Sequence, residues 1–210
     1  MSILARSARL FAENGYGGAS TAMIAEACGV SKALMYHYYS SKVDVLFDIL
    51  DHHLKYLLDV AEAASRSAGS SGERLFAISS ALLDAYRGAD AEHQVQISSL
   101  KLLPPAQQEV LKSLERRLVA IVSEAIAGAI PSLANRRDAL TPLTMSLFAM
   151  LNWHFLWYRE GKGLTREAYA KIATTLILAG AEAATSALEG QAKSSPKRTS
   201  RRSGGEGRPS

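Results

Sequence analysis

The sequence predicts an all-α protein of nine helices, a small three-helix unit followed by a larger helical bundle. Three observations lead there. Apolar residues recur at three- and four-residue spacing through almost all of residues 2–189. No segment alternates apolar and polar residues long enough to make a strand. Each periodic run is bounded by glycine, proline or a hydroxyl residue able to cap a helix. A chain of 210 residues, 48% hydrophobic and 21% charged, is long enough to bury a core and too apolar to be mostly disordered.

The first helix carries the stripe Leu4, Ala8, Phe11 and ends in Asn14-Gly15-Tyr16-Gly17-Gly18, where glycine accepts the backbone that closes a helix. Ser20 or Thr21 caps a short second helix that stops at Cys28-Gly29. Ser31 caps a third, running to about Tyr38, and Ser40-Ser41 leads into a long fourth helix reaching about Arg66. Its stripe is Leu46, Ile49 or Leu50, His53, Leu57 and Ala61. Ser70, three residues before Glu73, resembles a capping box and opens the fifth helix, which runs to about Arg87.

A sixth helix covers roughly residues 91–103. Pro104-Pro105 then breaks the chain before a seventh that ends near Ile130-Pro131 and carries Leu111, Leu114, Leu118, Ile121 or Val122, and Ala125. Thr141-Pro142 reads as an N-cap with proline at the first helical position, opening an eighth helix that ends at Glu160-Gly161-Lys162-Gly163. Thr165 caps the last, striped with Ile172 or Ala173, Leu176, Gly180, and Ala183 or Ala184. The expected division is residues 1–48, 49–189 and a tail at 190–210.

The formal charge of +4 sits in that tail. Residues 191–210 hold Lys193, Lys197, Arg198, Arg201, Arg202 and Arg208 against Glu206 alone, so the rest of the chain is close to neutral. Rich in Ser, Gly and Pro, the tail is expected to be disordered, either an arm attracted to DNA or a solvated terminus. The uncharged run 139–158 contains Thr141, Thr144, Ser146, Asn152 and His154, too many polar groups for an isolated membrane span, and reads as a buried helix. No basic-then-apolar stretch opens the chain, so no signal peptide and a cytoplasmic location are expected. One cysteine, Cys28, excludes an internal disulfide and a multi-cysteine zinc site. His37, His52, His53, His93 and His154 form no metal-ligand spacing, and there is no phosphate loop or nucleophile elbow. Neither an enzyme, nor a cofactor, nor a metal is expected.

Residues 20–46 carry the function. They read as a short helix, a tight turn and a second short helix. Ile24 and Ala25 face inward, Gly29 makes the turn, Val30 fills the space between the helices and Leu34 anchors the second one. That second helix opens with Ser31, Lys32 and Ala33, small or polar as a helix entering the major groove must be at its N-terminal end. Tyr36 and His37 lie where side chains reach phosphates. Lys42, with the amides opening the fourth helix, can supply another such contact.

The run Thr21-x-x-Ile24-Ala25-x-x-x-Gly29-Val30-Ser31-x-x-x-x-Tyr36-His37-Tyr38-x-x-x-Lys42-x-x-Leu46 resembles the N-terminal domain of the tetracycline-repressor (TetR) family. The preceding Leu10-Phe11-Ala12-Glu13-Asn14-Gly15-Tyr16 is similar to that family's first helix and turn. The resemblance implies that Thr21, Ser31, Lys32, Ala33, Tyr36, His37 and Lys42 lie at or near a double-stranded DNA operator. Residues 1–50 balance four basic side chains against four acidic ones, so attraction to phosphates rests on placement rather than net charge. The chain shows no basic stretch before the first helix, unlike most members, and Cys28 replaces a small residue and reads as core.

The second half is expected to hold an effector pocket and a dimer surface. Its richest stretch is Asn152-Trp153-His154-Phe155-Leu156-Trp157-Tyr158-Arg159. Aromatics at helical spacing read either as core or as the lining of a cavity with polar handles. Tyr86, Asn152, Trp153, His154, Trp157, Tyr158 and Arg159 are the candidate effector-binding residues. With Gly161-x-Gly163-Leu164-Thr165-x-Glu167 and the apolar last helix, this run resembles a branch of the family that responds to acyl-coenzyme A thioesters. The resemblance implies such an effector, with Lys101, Arg87, Arg116, Arg117 and Arg159 as candidates for its phosphates. It also implies a homodimer through the last two helices, where Ala173, Gly180, Ala183, Ala184 and Ala187 permit close approach. The expected role is a repressor released by its effector; the alternative is a helical small-molecule-binding protein that does not act through DNA.

Overall fold

A computed structural model describes the backbone of residues 3–194 and the side chains of residues 3–186. The basic tail from residue 195, and the Ala187 side chain expected on the dimer face, lie outside the described residues. The helices are α1 (Ile3–Gly18), α2 (Thr21–Cys28), α3 (Lys32–Tyr38), α4 (Lys42–Ser67), α5 (Ser71–Ala85), α6 (Asp90–Ser99), α7 (Pro105–Ala129), α8 (Arg137–Asn152), α9 (His154–Trp157) and α10 (Arg166–Ser194). Short 3-10 turns follow α6 (Leu100–Leu102) and α7 (Pro131–Leu133). Among the described residues there is no strand, and the fold is the expected nine-helix arrangement with the eighth helix broken into α8 and α9.

Local chemistry sets most boundaries. Ser20, Ser31, Ser41 and Ser70 each accept a backbone N–H of the first turn, and at Ser41 and Ser70 the reciprocal bonds to Asp44 and Glu73 complete capping boxes. Gly15, at φ 68° and ψ 159°, kinks the end of α1 in a region essentially reserved for glycine. Gly29, at φ 69° and ψ 31°, ends α2 in the left-handed conformation, and its N–H reaches back to the carbonyls of Ala25 and Glu26. Gln108 Nε2 closes the Pro104-Pro105 break by donating to the Leu103 carbonyl at 2.8 Å.

Two expectations about the eighth helix need correcting. It starts at Arg137, not at Thr141-Pro142, because Arg136 and Asp138 pair at 2.9 Å and place a carboxylate in the first turn. Pro142 therefore sits inside the helix on its exposed face, where the carbonyl left unpaired by the missing N–H is reachable by water. The helix also stops at Asn152. In a continuing α-helix the Asn152 carbonyl would take the Leu156 N–H, but His93 Nε2 lies 3.1 Å from it, and Leu156 N turns to the Trp153 carbonyl at 3.2 Å.

The core runs along α4, which packs on α1, α5, α6 and α7 and buries Leu46, Ile49, Leu50, Leu54, Leu57 and Leu58. α10 lies on α5 and α8 through Ala170, Ala173, Ile177 and Ala181. Ala173, expected on the dimer face, is thus buried within the chain, while Leu176 of the same stripe lies on the outer face of α10, 59% exposed. α4 runs unbroken through the expected boundary at residue 48, so the N-terminal unit is joined to the bundle by a shared helix. α1 also packs on α6, a second contact between the two parts.

Candidate nucleic-acid interface and effector recess

The N-terminal interface is built around α3. Only Met35 of its seven residues is buried; Lys32, Ala33, Leu34, Tyr36, His37 and Tyr38 are all exposed. Met35, not Leu34 as expected, anchors the helix, and Leu34 lies 43% exposed on the outer surface. Ile24 and Ala25 of α2 are buried beneath it, and Val30 packs partly against the core. The Ser31 hydroxyl accepts the Leu34 N–H at 3.1 Å, leaving its own O–H free as a donor at the head of α3. Thr21 opens α2 half-buried. Cys28 packs half-buried with Sγ 3.7 Å from the Ile3 carbonyl.

Lys42 is more committed than its sequence position suggests. Its Nζ donates to the carbonyls of Tyr16 at 2.8 Å and Ala19 at 2.9 Å, and lies 4.3 Å from the Tyr16 ring centroid. It ties the α1–α2 junction to the start of α4 and keeps one N–H of its three for another partner. The Ser41 N–H, just ahead of the amides that open α4, donates to Asp44 Oδ2 at 2.9 Å.

In the bundle, α4, α6, α7 and α8 enclose a recess of about 210 Å³. Leu57, Leu118, Val119, Met145 and Phe148 supply apolar walls, and Tyr86, His93, Gln96, Glu115 and Asn152 supply polar groups. The Tyr86 hydroxyl donates to Asn152 Oδ1 at 2.9 Å, and Gln96 Nε2 to Glu115 Oε1 at 3.3 Å. The rings of Tyr86 and His93 lie 4.2 Å apart, and His53 is 5.9 Å from His93 on the side toward the N-terminal unit. Burial, with smaller repulsions from His93 and His52, lowers His53 to about 3, and burial also lowers His93 and raises Tyr86. These histidines are neutral at physiological pH.

Of the residues the sequence suggested for an effector, the recess takes Tyr86 and Asn152. Trp153 and Trp157 are 51% and 52% exposed. His154 is buried between the rings of Tyr158 at 4.2 Å and Tyr169 at 5.3 Å, and burial lowers it to about 4. Tyr158 carries the Arg166 guanidinium over its ring at 4.4 Å, with Arg166 paired to Glu160. Arg159 Nη1 donates to the Tyr158 carbonyl. Arg87, Arg116 and Arg117 pair with Asp84, Glu109 and Glu62, and neither they, nor Lys101, nor Arg159 line the recess. Sequence reasoning missed His93, Gln96 and Glu115, whose only local signal was a polar residue on the inner face of a helix.

A helix-turn-helix whose second helix is held by one buried residue, joined through α4 to a bundle enclosing a partly apolar recess, defines a DNA-binding regulator. Residues 3–49 match the family model described as "Bacterial regulatory proteins, tetR family", and residues 68–181 match "Tetracyclin repressor-like, C-terminal domain". The chain belongs to the TetR family of transcriptional regulators, which are DNA-binding proteins and not enzymes. A TetR-family regulator from Bordetella parapertussis 12822 shares 32% identity over 84% of this chain and 92% of its own, with a TM-score of 0.79. The transcriptional activator FasR of Mycolicibacterium smegmatis is 30% identical over 82 residues, 39% of this chain, and the match spans only 37% of FasR. AibR, solved with isovaleryl coenzyme A and operator DNA, has the same fold: TM-score 0.71, 24% identity, covering 83% of this chain and 95% of that one. No helix among the described residues is long and apolar enough to cross a membrane.

Proposed function

We propose that this regulator is a cytoplasmic homodimeric repressor that holds a palindromic operator and releases it when a small molecule enters the α4–α8 recess. The observation that carries the DNA-binding reading is the exposure of α3, with every residue but Met35 free to face a groove. Residues 1–48 form the DNA-binding unit and 49–189 the effector and dimer unit. Ser31, Lys32 and Ala33 read base edges. Thr21, Tyr36, His37 and the remaining Lys42 N–H meet phosphates.

The dimer reading rests on an uncharged outer face. On α10 Ile172, Leu176, Ala179, Gly180 and Ala183 are exposed, and on α8 Pro142, Met145 and Ala149, with Trp153 just past its end. Contiguous apolar surface on two adjoining helices is the material of a four-helix interface. Two-fold pairing sets the recognition helices about 34–36 Å apart, or further on a longer site.

An acyl-coenzyme A thioester is the effector class best supported, since AibR binds one and the recess is mostly apolar. The recess, about 210 Å³ and open on one side, offers an acyl chain apolar walls. The contacts to it come from Tyr86 and Asn152, joined by His93, Gln96 and Phe148. Binding biases a two-state dimer toward a geometry off register with the operator, a coupling of ~1–3 kcal/mol or roughly 5- to 150-fold in affinity.

The test is fluorescence anisotropy of the full chain on DNA from upstream of its own gene, at ~150 mM salt, because salt sets such affinities. Preference over a scrambled duplex, relieved by one of a panel of acyl-CoA thioesters, is expected. Equal affinity for both duplexes contradicts the regulator, and specific binding untouched by every thioester contradicts the effector class.

A further inference from the structure

We propose that a second cavity, at the junction of the N-terminal unit and the bundle, binds a small protonated amine carried on an aromatic or hydrocarbon body. This site is separate from the effector recess and stands whether or not that recess takes a thioester.

The cavity, about 290 Å³ and open to solvent, lies where α1, α4 and the start of α6 meet. From α1 come Leu4 and Ala5, and from α4 the single face of Ile49, His52, His53 and Tyr56. Glu92 and the N-cap residue Ala89 come from α6. Ala5 and Ala89 carry only a methyl group each, which leaves room at a point where larger side chains would close the junction. The cavity shares no lining residue with the recess. His53 stands between the two, its ring 6.5 Å from Tyr86 and 5.9 Å from His93, both of which line the recess.

The groups a ligand can reach here suit a cation with an apolar body. Leu4, Ala5 and Ile49 supply hydrocarbon, and Tyr56, 49% exposed, offers an aromatic ring. Glu92 is half-buried, so its side chain keeps accessible surface. Among the described residues its carboxylate accepts only its own main-chain N–H. Arg9, one turn along α1 from Ala5, acts on it as a charge without forming an ion pair. Burial raises the Glu92 carboxyl, with Asp90 adding repulsion, as expected of a carboxylate drawn from water without a full partner. No lysine or arginine lines the cavity. The first turn of α6 has no side-chain cap and by itself favours an anion, but Asp90 and Glu92 already place two carboxylates there. An ammonium group supplies the charge-assisted hydrogen bond that Glu92 lacks, and its body covers hydrocarbon that water otherwise faces. An entering carboxylate would meet Glu92 and Asp90 with no lining cation to offset its desolvation.

Three ligands of similar shape test this by calorimetry on the full chain at neutral pH: 3-phenylpropylamine, 3-phenylpropanol and 3-phenylpropionate. The amine is expected to bind about tenfold tighter than the alcohol or more, as a charge-assisted hydrogen bond warrants, and the carboxylate weakest of the three. Glu92→Gln should erase the amine's advantage. Ala89→Leu, which fills the cavity, should weaken amine and alcohol alike. Melting of both variants is checked first, and Glu92→Gln carries the test alone should Ala89→Leu not fold. Alcohol or carboxylate binding as tightly as the amine overturns the proposal, as does absence of binding by all three. So does an advantage that survives Glu92→Gln, or undiminished binding by a folded Ala89→Leu. An advantage lost in Glu115→Gln would put the amine in the recess and overturn it too.

Discussion

Acidification is predicted to weaken this fold through His53, a residue on the inner face of α4 that touches neither DNA nor the recess. Its ring is 4% exposed, its Nε2 has no hydrogen-bond partner, and its neighbours on the facing elements are the rings of Tyr86 and His93. Burial holds it neutral down to about pH 3, against 6.5 in the unfolded chain. Between those values the unfolded state binds a proton that the folded state refuses. The His53 contribution is therefore complete above about pH 6.5 and is lost as pH falls below it. From about pH 7 to about pH 5 the linkage amounts to about 2 kcal/mol for this one group. That figure is set by the unfolded value and the pH interval, not by how far below pH 5 the folded value lies.

The perturbation is His53→Leu, and the assay is urea unfolding at both pH values with protein concentration fixed, since dimers unfold concentration-dependently. Other titrating groups contribute to both proteins, so the difference between their pH slopes isolates His53. The wild type should lose about 2 kcal/mol more than the variant. Parallel slopes would refute a neutral, buried His53.

Four further substitutions probe three separate parts of the structure. Lys42→Met removes two hydrogen bonds and a ring contact, and should cost roughly 1–3 kcal/mol in thermal unfolding while weakening specific and scrambled DNA alike; an unchanged melt would contradict the tie between α1 and α4. Met35→Ala should cost about 2–5 kcal/mol and Leu34→Ala well under that, a ranking that comparative denaturant titrations read directly. Leu176→Glu places a charge on the outer face of α10 and should convert a dimer to a monomer in sedimentation, whereas an unaltered sedimentation coefficient would move the interface elsewhere.

The N-terminal helix-turn-helix was legible because its determinants are local. Ser20, Ser31 and Ser41 cap the helices that follow them, and Gly29 holds a left-handed turn; each signal lies within a few residues of what it controls. The exchange of Leu34 for Met35 arose because seven residues are too few for periodicity to fix a face. The recess was legible only in Tyr86 and Asn152. Its remaining polar groups come from α6 and α7, and nothing near His93 in the chain points to a partner 59 residues away. That same contact ends α8 at Asn152. Trp153 and Trp157, which a continuous helix would have placed on one face, thereby lie at or beyond a break and on the outside. Lys42 illustrates the opposite limit: its position suggests a phosphate contact, but the carbonyls of Tyr16 and Ala19 that surround its ammonium lie 26 and 23 residues away in the chain.

That α3 reads DNA as one of a symmetric pair is tested most directly by selecting bound duplexes from a random pool with the full chain, in parallel with Lys32→Ala. Enrichment of a two-fold symmetric site, with half-sites about one helical turn apart or more, is predicted, with sequence preference altered within the half-site for the variant. Failure to enrich any sequence, or an asymmetric site that Lys32→Ala leaves unchanged, would contradict it.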